Sequence, residues 1–169
     1  TLDCMKWLGV THGVVQVATL ATDLAVLLRA GISGSERITL EEELELIRRY
    51  LDIQEIRFGD RFVCEIDVDE RFQHCVVPKL VLQPLVENAI IHGVADSDEG
   101  FIKLWAEQQG DDLLLMVSDN GGGIPEDVLR RLNGHETIPG SHLGLNNVDR
   151  IVRLSYGESY GLTARVTEQ

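Results

Sequence analysis

The chain has 169 residues, 44% of them apolar, and 28 acids against 15 Lys and Arg give it a formal charge of −13. Length and composition suit one globular domain, or one domain with an appendage, and exclude wholesale disorder, a collagen-like repeat and a disulfide-built scaffold. The acidic balance argues against broad binding to nucleic acid or an anionic membrane, which need basic surface, but leaves room for a small anion held with a cation.

Cys4, Cys64 and Cys75 are odd in number and form no C-x-x-C pair, so reduced cytosolic thiols are expected. The start carries neither a Met nor a signal-peptide pattern and reads as a piece of something longer. Residues 1–30 read as helix, broken near Gly9 to Gly13. The run Val14 to Leu28 is apolar almost all round and calls for partners on more than one side. Gln16, Thr19, Thr22 and Asp23 interrupt it, so it is not read as a membrane span. Gly31 is a stop signal, and Ser33-Gly34-Ser35 reads as a linker.

An amphipathic helix follows. Thr39 and Glu42 form a capping box, Glu41 to Glu43 suit the positive end of the helix dipole, and Leu40, Leu44, Ile47 and Leu51 make one apolar stripe. Gly59-Asp60 ends it. Phe62, Cys64, Ile66 and Val68 alternate with polar or outward positions, as in a half-buried strand. Pro78 to His92 reads as a helix started by Pro78, kinked at Pro84 and capped by Gly93. Strands are expected near 101–107 and 113–118, joined at Gly110-Asp111-Asp112. A short helix over 125–132, a flexible stretch from Asn133 to His142, a helix over 145–154 and a strand over 162–167 complete the chain. Twelve acids against five arginines in residues 36–70 read as a solvated face, or as a dock for a basic partner. Trp7 and Trp105 read as core or partner-facing aromatics.

Three segments carry the chemistry. In Gln83-Pro-Leu-Val-Glu87-Asn88-Ala-Ile-Ile-His92-Gly93, Asn88 and His92 share one face of an otherwise apolar helix. Such a face lines a pocket, or is a polar stripe with satisfied hydrogen bonds. Asp119-Asn-Gly121-Gly122-Gly123-Ile124 follows an apolar strand, and its glycines serve either close approach to a ligand or a tight turn. Gly140-Ser-His142-Leu-Gly144-Leu145-Asn146-Asn147 runs into a helix N-terminus, a natural place for phosphate or an ordinary loop. Neither a P-loop nor a Rossmann fingerprint is present.

In order and spacing these segments resemble the N, G1 and G2 boxes of the GHKL ATPases: gyrase, Hsp90-type chaperones, histidine kinases and MutL-type proteins. Ile38-Thr-Leu-Glu-Glu-Glu-Leu44, Tyr50-Leu-Asp-Ile-Gln54, Arg57-Phe-Gly-Asp-Arg61, Asn147-Val-Asp-Arg150 and Tyr156-Gly157 are similar to the LytS/YehU-type sensor histidine kinases. The resemblance covers nearly the whole chain. It implies an α+β fold, a two-layer α/β sandwich of the GHKL (Bergerat) type with a mixed sheet, helices on one face and a helical remnant in front. Residues 1–35 would be truncated dimerisation and phosphotransfer helices with a linker, and residues 36–169 the catalytic ATP-binding domain lacking its last strand, which would leave an exposed sheet edge.

The implied function is transfer of the γ-phosphate of Mg-ATP to a histidine outside this chain, for relay to a response regulator; the alternative is a degenerate nucleotide-binding or dimerisation module. Asn88 matches the Mg²⁺-holding residue, Glu87 the neighbouring acid that assists the nucleophile, and Asp119 the acceptor of the adenine amino group. Gly121 and Gly123 match the loop beside the base, and Gly140, Gly144 and Leu145 the lid and phosphate box; His92, as a pocket-lining residue, and His142 are placed with them as nucleotide-binding residues. The implied partners are ATP, the histidine-bearing helix of the parent kinase, a response regulator and a second copy in the full-length protein, with no nucleic acid. The implied location is the cytoplasmic side of an inner-membrane sensor.

Departures from the pattern are expected to matter. Ile91 stands where relatives often carry Lys, which removes a phosphate contact. His142 replaces a glycine, which stiffens the lid or adds a phosphate donor. Thr1 to Trp7 resembles the stretch just after the family's Pro-His-Phe acceptor motif, and none of His12, His74, His92, His135 and His142 lies in such a motif. His12 reads as a solvent-facing turn residue.

Overall fold

A helical hairpin opens the chain: α1 (Leu2–Thr11) and α2 (Val15–Ile32) fold back on each other through a turn at Gly13, whose φ is +71°. These facts come from a computed structural model that describes residues 2–32, 34–94, 97, 99–140 and 142–167. Ser33 of the expected linker and Ser141 of the glycine segment lie outside the described residues. Gly9 is where the two helices touch, since a Cβ there would come within 2.7 Å of the Ala18 nitrogen. Gly31 does not stop α2, which runs one residue further.

By length and composition α2 could cross a membrane, with 18 residues at a mean hydropathy of 1.5. Here it packs between α1 and α3 (Leu40–Phe58) instead. Buried Asp23 faces α3 and accepts a 2.9 Å hydrogen bond from the Arg49 guanidinium. The packing is one-sided: Met5, Trp7, Val10, Val15, Leu28 and Ile32 remain exposed, so Trp7 belongs to no core here.

Thr39 caps α3 as its sequence predicts. Its hydroxyl accepts from the Glu42 N–H, the Glu42 carboxylate accepts from the Thr39 N–H, and such a cap contributes about 1 kcal/mol. Leu40, Leu44, Ile47 and Tyr50 form the buried stripe, with Leu51 only half-buried beside it. Just before the cap, Arg37–Thr39 forms a short strand, β1, antiparallel to β3 (Val76–Pro78).

The main sheet has three strands in the order β2 (Phe62–Asp67), β4 (Gly100–Gln109), β5 (Asp112–Asp119), with the first pair parallel and the second antiparallel. Period-two alternation sends Phe62, Ile102 and Leu104 into the core, while Val63 and Phe101 face outward. On the inner face these residues meet Val86, Ala89, Ile90 and Val94, the stripe of α3, and Val148. The helices therefore cover one face of a mixed sheet, as the two-layer reading expects. A second cluster joins Val128 and Leu132 of α5 (Glu126–Asn133), Ile138 of the following loop, and Leu145 of α6 (Leu143–Tyr156).

Three expectations need correction. Pro78 ends a strand, and α4 begins only at Gln83 (Gln83–Asn88), so Pro84 sits in the first turn, where its missing N–H costs nothing. The helix then widens to π geometry over Ala89–Val94, so Gly93 lies inside that turn and does not cap it. Residues 162–167 join no strand: Leu162 N–H donates to the Asp149 carboxylate and Ala164 N–H to the Asn133 amide oxygen. Side chains of α5 and α6 thereby take up bonds that a sheet ladder would have used.

Candidate functional site: the N, G1 and G2 segments

The apolar pattern of Val86, Ala89, Ile90 and Val94 drives one face of α4 and its π turn into the core. Glu87 and His92 are left exposed and Asn88 half-buried. Among the described residues, none hydrogen-bonds the Asn88 side-chain amide, so its oxygen is free to accept a ligand. The Glu87 charge is felt by buried Tyr50 of α3: burial pushes that phenol up to about 12, and the nearby carboxylate adds to the shift. Ile91 stands 46% exposed beside His92 and presents an apolar surface there.

The glycine loop after β5 meets the π turn backbone to backbone. A Cβ on Gly121 would lie 2.2 Å from the Gly93 oxygen and 2.3 Å from its Cα, and one on Gly93 would lie 2.5 Å from Asp119 Oδ1. Only two glycines allow this approach. Asp119 Oδ1 accepts the Gly121 N–H at 3.0 Å, which folds the loop over its own first residue. Asn120 secures the loop to β4, accepting from the Phe101 N–H at 2.7 Å and donating to the Glu99 oxygen at 2.9 Å. Gly123, at φ +77°, turns the chain toward α5.

The third segment arrives from the opposite side. Gly140 takes φ +87° before α6 begins at Leu143, and Leu145 is buried in the second cluster. Gly144 packs on Pro84: a Cβ there would be 3.1 Å from the Pro84 Cβ. The α6 N-terminus therefore lies against the start of α4. His142 stands at the N-cap with no side-chain cap bond, which leaves the first N–H groups of α6 without a capping side chain. Its ring lies 5.6 Å from that of His92, centroid to centroid, and its buried Nδ1 has no hydrogen-bond partner. Asn146 grips the preceding loop twice, accepting from the Ile138 N–H and donating to the Ile138 oxygen.

Three contacts thus join the predicted residues: Gly93 with Asp119 and Gly121, His92 with His142, and Gly144 with Pro84. Gly123 and Gly140 take positive φ in the loops that lead to α5 and α6. Two clefts elsewhere, one lined by Asp67, Asp69, Glu70 and Trp105 and one by Arg48, Arg49, Phe62 and Cys64, share none of these residues. His12 is exposed in its turn, as expected.

Sequence reasoning missed two groups. His135 holds the Asp149 carboxylate at 2.8 Å and ties the loop after α5 to α6; no motif marks it. Glu43 was expected on the solvated first turn of α3 but is fully buried. Burial pushes its carboxyl upward from the usual range, while N–H bonds led by those of Leu82 and Leu80 pull it back. The acids of 36–70 are therefore not all a solvated face.

Residues 76–168 match the sequence model described as "Histidine kinase-, DNA gyrase B-, and HSP90-like ATPase", and residues 1–62 match one described as "Histidine kinase". The chain belongs to the histidine kinase-, DNA gyrase B- and HSP90-like ATPase family. Among its relatives, the sensor histidine kinase YesM of Bacillus subtilis is 34% identical over 164 residues, covering 96% of this chain and 27% of YesM. The sensor histidine kinase YpdA of Escherichia coli is 38% identical over 128 residues, covering 75% of this chain and 22% of YpdA. The chain thus spans about a quarter of the length of these relatives, which lie in the LytS/YehU branch that the motifs resemble. A solved structure of the Acinetobacter baumannii histidine kinase AdeS superposes with a TM-score of 0.52 over 86% of this chain and 71% of that one. At 19% identity this likeness concerns the family's fold alone, an α+β domain with a mixed sheet.

The donor chemistry at the site fits a nucleotide held together with a hard cation. The Asn88 amide offers a hard oxygen of the kind Mg²⁺ takes. The Asp119 carboxylate, lying against the Gly93 and Gly121 backbone, is an acceptor at the edge of the interlock.

Proposed function

We propose that this chain is the ATP-binding catalytic region of a two-component sensor histidine kinase, and that it transfers the γ-phosphate of Mg-ATP to a histidine outside residues 1–169. The observation that carries this reading is the interlock of Gly93, Asp119 and Gly121, which binds the N and G1 segments into one unit beside the uncapped N-terminus of α6.

Each residue then has a defined task. Asp119 accepts a hydrogen bond from the adenine amino group, with Gly121 and Gly123 keeping the approach to the base clear. Asn88 supplies its amide oxygen to the metal, and Glu87 takes up or orients the proton of the attacking imidazole. Gly140, His142, Gly144 and Leu145 present the start of α6 to the phosphates, whose charge suits free N–H groups and the positive dipole end. His92 flanks them across from His142. Mg²⁺ neutralises phosphate charge when bound, and phosphoryl transfer needs little beyond such neutralisation and positioning.

We further assign residues 1–35 to the dimerisation and phosphotransfer helices with their linker, and residues 36–169 to the catalytic domain. The exposed apolar side of the α1–α2 hairpin is the natural seam for a second copy. A response regulator would receive the phosphoryl group, with the catalytic domain on the cytoplasmic side of a membrane sensor.

The parent protein incubated with γ-labelled ATP is expected to form acid-labile phosphohistidine, and Asn88→Ala to slow this by about 100-fold or more. Nucleotide binding without any phosphohistidine would favour the alternative of a degenerate module, to which exposed Ile91 already lends support. Phosphohistidine formation undiminished in Asn88→Ala would overturn the role given to that residue.

A further inference from the structure

We propose that Glu43 is a positioning residue: from α3 it caps the start of α4 and so fixes Glu87 and Asn88 relative to the metal-bearing phosphates. This inference rests on the reading of the site as a Mg-nucleotide site.

The first N–H groups of a helix need partners outside it. In α4 the N-cap is Leu82, which has no side-chain oxygen to offer, and no side chain of the segment's own caps the helix. Glu43 reaches in from a neighbouring helix and takes the N–H of the N-cap residue itself, together with one from the turn before it. Its two carboxylate oxygens accept from the Leu80 N–H at 2.8 Å and the Leu82 N–H at 2.9 Å. Leu80 is held at φ +60°, a left-handed conformation that a leucine adopts only when its surroundings fix it.

A fully buried acid is costly, and nothing in α3 requires one at this position. Glu41 and Glu42 already serve the dipole of α3, and Thr39 already caps it. A glutamine would not be equivalent, because its NH₂ would face one of the two N–H donors. The buried carboxylate is therefore matched to the turn before α4. From Leu82 the helix runs without interruption to Asn88, with Val86 fully buried as its anchor. A shift at its first turn is thus carried to Glu87 and Asn88. Asp119 closes β5, and Gly93, the residue of the N segment that touches it, lies five residues past Asn88 across the π turn, so Asp119 would feel that shift less.

This separation gives the test. Calorimetry with a non-hydrolysable ATP analogue is run with Mg²⁺ and with EDTA, on the wild type and Glu43→Gln. Glu43→Gln is expected to lose about 10–100-fold in affinity for the Mg form while staying within about twofold for the metal-free form, since supports behind a metal ligand act on the metal. An equal Mg-dependent gain in both proteins, or an equal loss in both forms, overturns the inference and leaves the nucleotide site standing. Absence of any binding by the wild type overturns the nucleotide site and the inference together. Should Glu43→Gln not fold, hydrogen exchange on the wild type decides. The Leu80 and Leu82 amides are expected to exchange more slowly with Mg-nucleotide than with nucleotide and EDTA, and identical rates would overturn the proposal.

Discussion

Gly121→Ala is expected to abolish nucleotide binding and to lower the unfolding free energy by about 2–3 kcal/mol, the cost of overpacking a rigid contact. The neighbouring Gly122→Ala should change neither, because a Cβ there meets no atom within 4 Å. The difference is geometric. At Gly121 the new carbon would sit 2.2–2.4 Å from three backbone atoms of Gly93, and no side chain can rotate to relieve it. The loop must withdraw, and Asp119 goes with it through its bond to the Gly121 N–H. Gly93→Ala separates the two effects. Its clash is with the Asp119 carboxylate at 2.5 Å, a group that can turn away, so stability should fall less while binding is still lost. Thermal melts and calorimetry on the three variants check the series. A Gly122→Ala protein as damaged as Gly121→Ala would refute the interlock.

Arg49→Ala should cost more than Asp23→Ala, although both break the same ion pair. The Asp23 side chain is 5% exposed and the Arg49 side chain 31%. Removing the arginine strands a buried carboxylate whose Oδ2 already lacks a partner, a loss of about 2–3 kcal/mol once the partial exposure of Arg49 is allowed for. Removing the aspartate leaves Arg49 in water and paired to Glu45 at 2.8 Å, and should cost about 1 kcal/mol or less. The pair joins α2 to α3, so the effect should be local. Amide exchange in α2 is expected to rise in Arg49→Ala while amides of β4 such as Ile102 and Leu104 keep their protection. Equal costs for the two variants, or protection lost throughout the sheet, would contradict this account of how the hairpin is held.

Where local chemistry decides structure, the sequence was readable. The Thr39–Glu42 box, the Gly110 turn and the period-two strands each rest on neighbours within a few residues, and each element formed where expected. The family was readable for a related reason: glycines, an acid and an asparagine recur at set spacings along the chain. What escaped detection depends on distant partners. Glu43 looks like one more acid on a helix N-terminus until the turn at residues 80–82 is folded against it. Pro78 carries a helix-start signal, but pairing with Arg37 in β1 claims it for a strand. Residues 162–167 have strand character, yet Asn133 and Asp149 take up their backbone N–H groups. The apolar run of α2 calls for partners on several sides; among the described residues it packs on α1 and α3 and leaves Val15, Leu28 and Ile32 exposed.

In the proposed site Asp119, braced by Gly93 and Gly121, reads an adenine while Asn88 and the start of α6 face its phosphates. Calorimetry of a non-hydrolysable ATP analogue with Mg²⁺, on the wild type and on Asp119→Ala, tests it most directly. One site per chain is expected in the wild type, and an affinity lower by about 100-fold in Asp119→Ala, whose proposed adenine acceptor is gone while its fold is kept. A folded wild type that binds no nucleotide, or an Asp119→Ala protein that binds as tightly as the wild type, would contradict it.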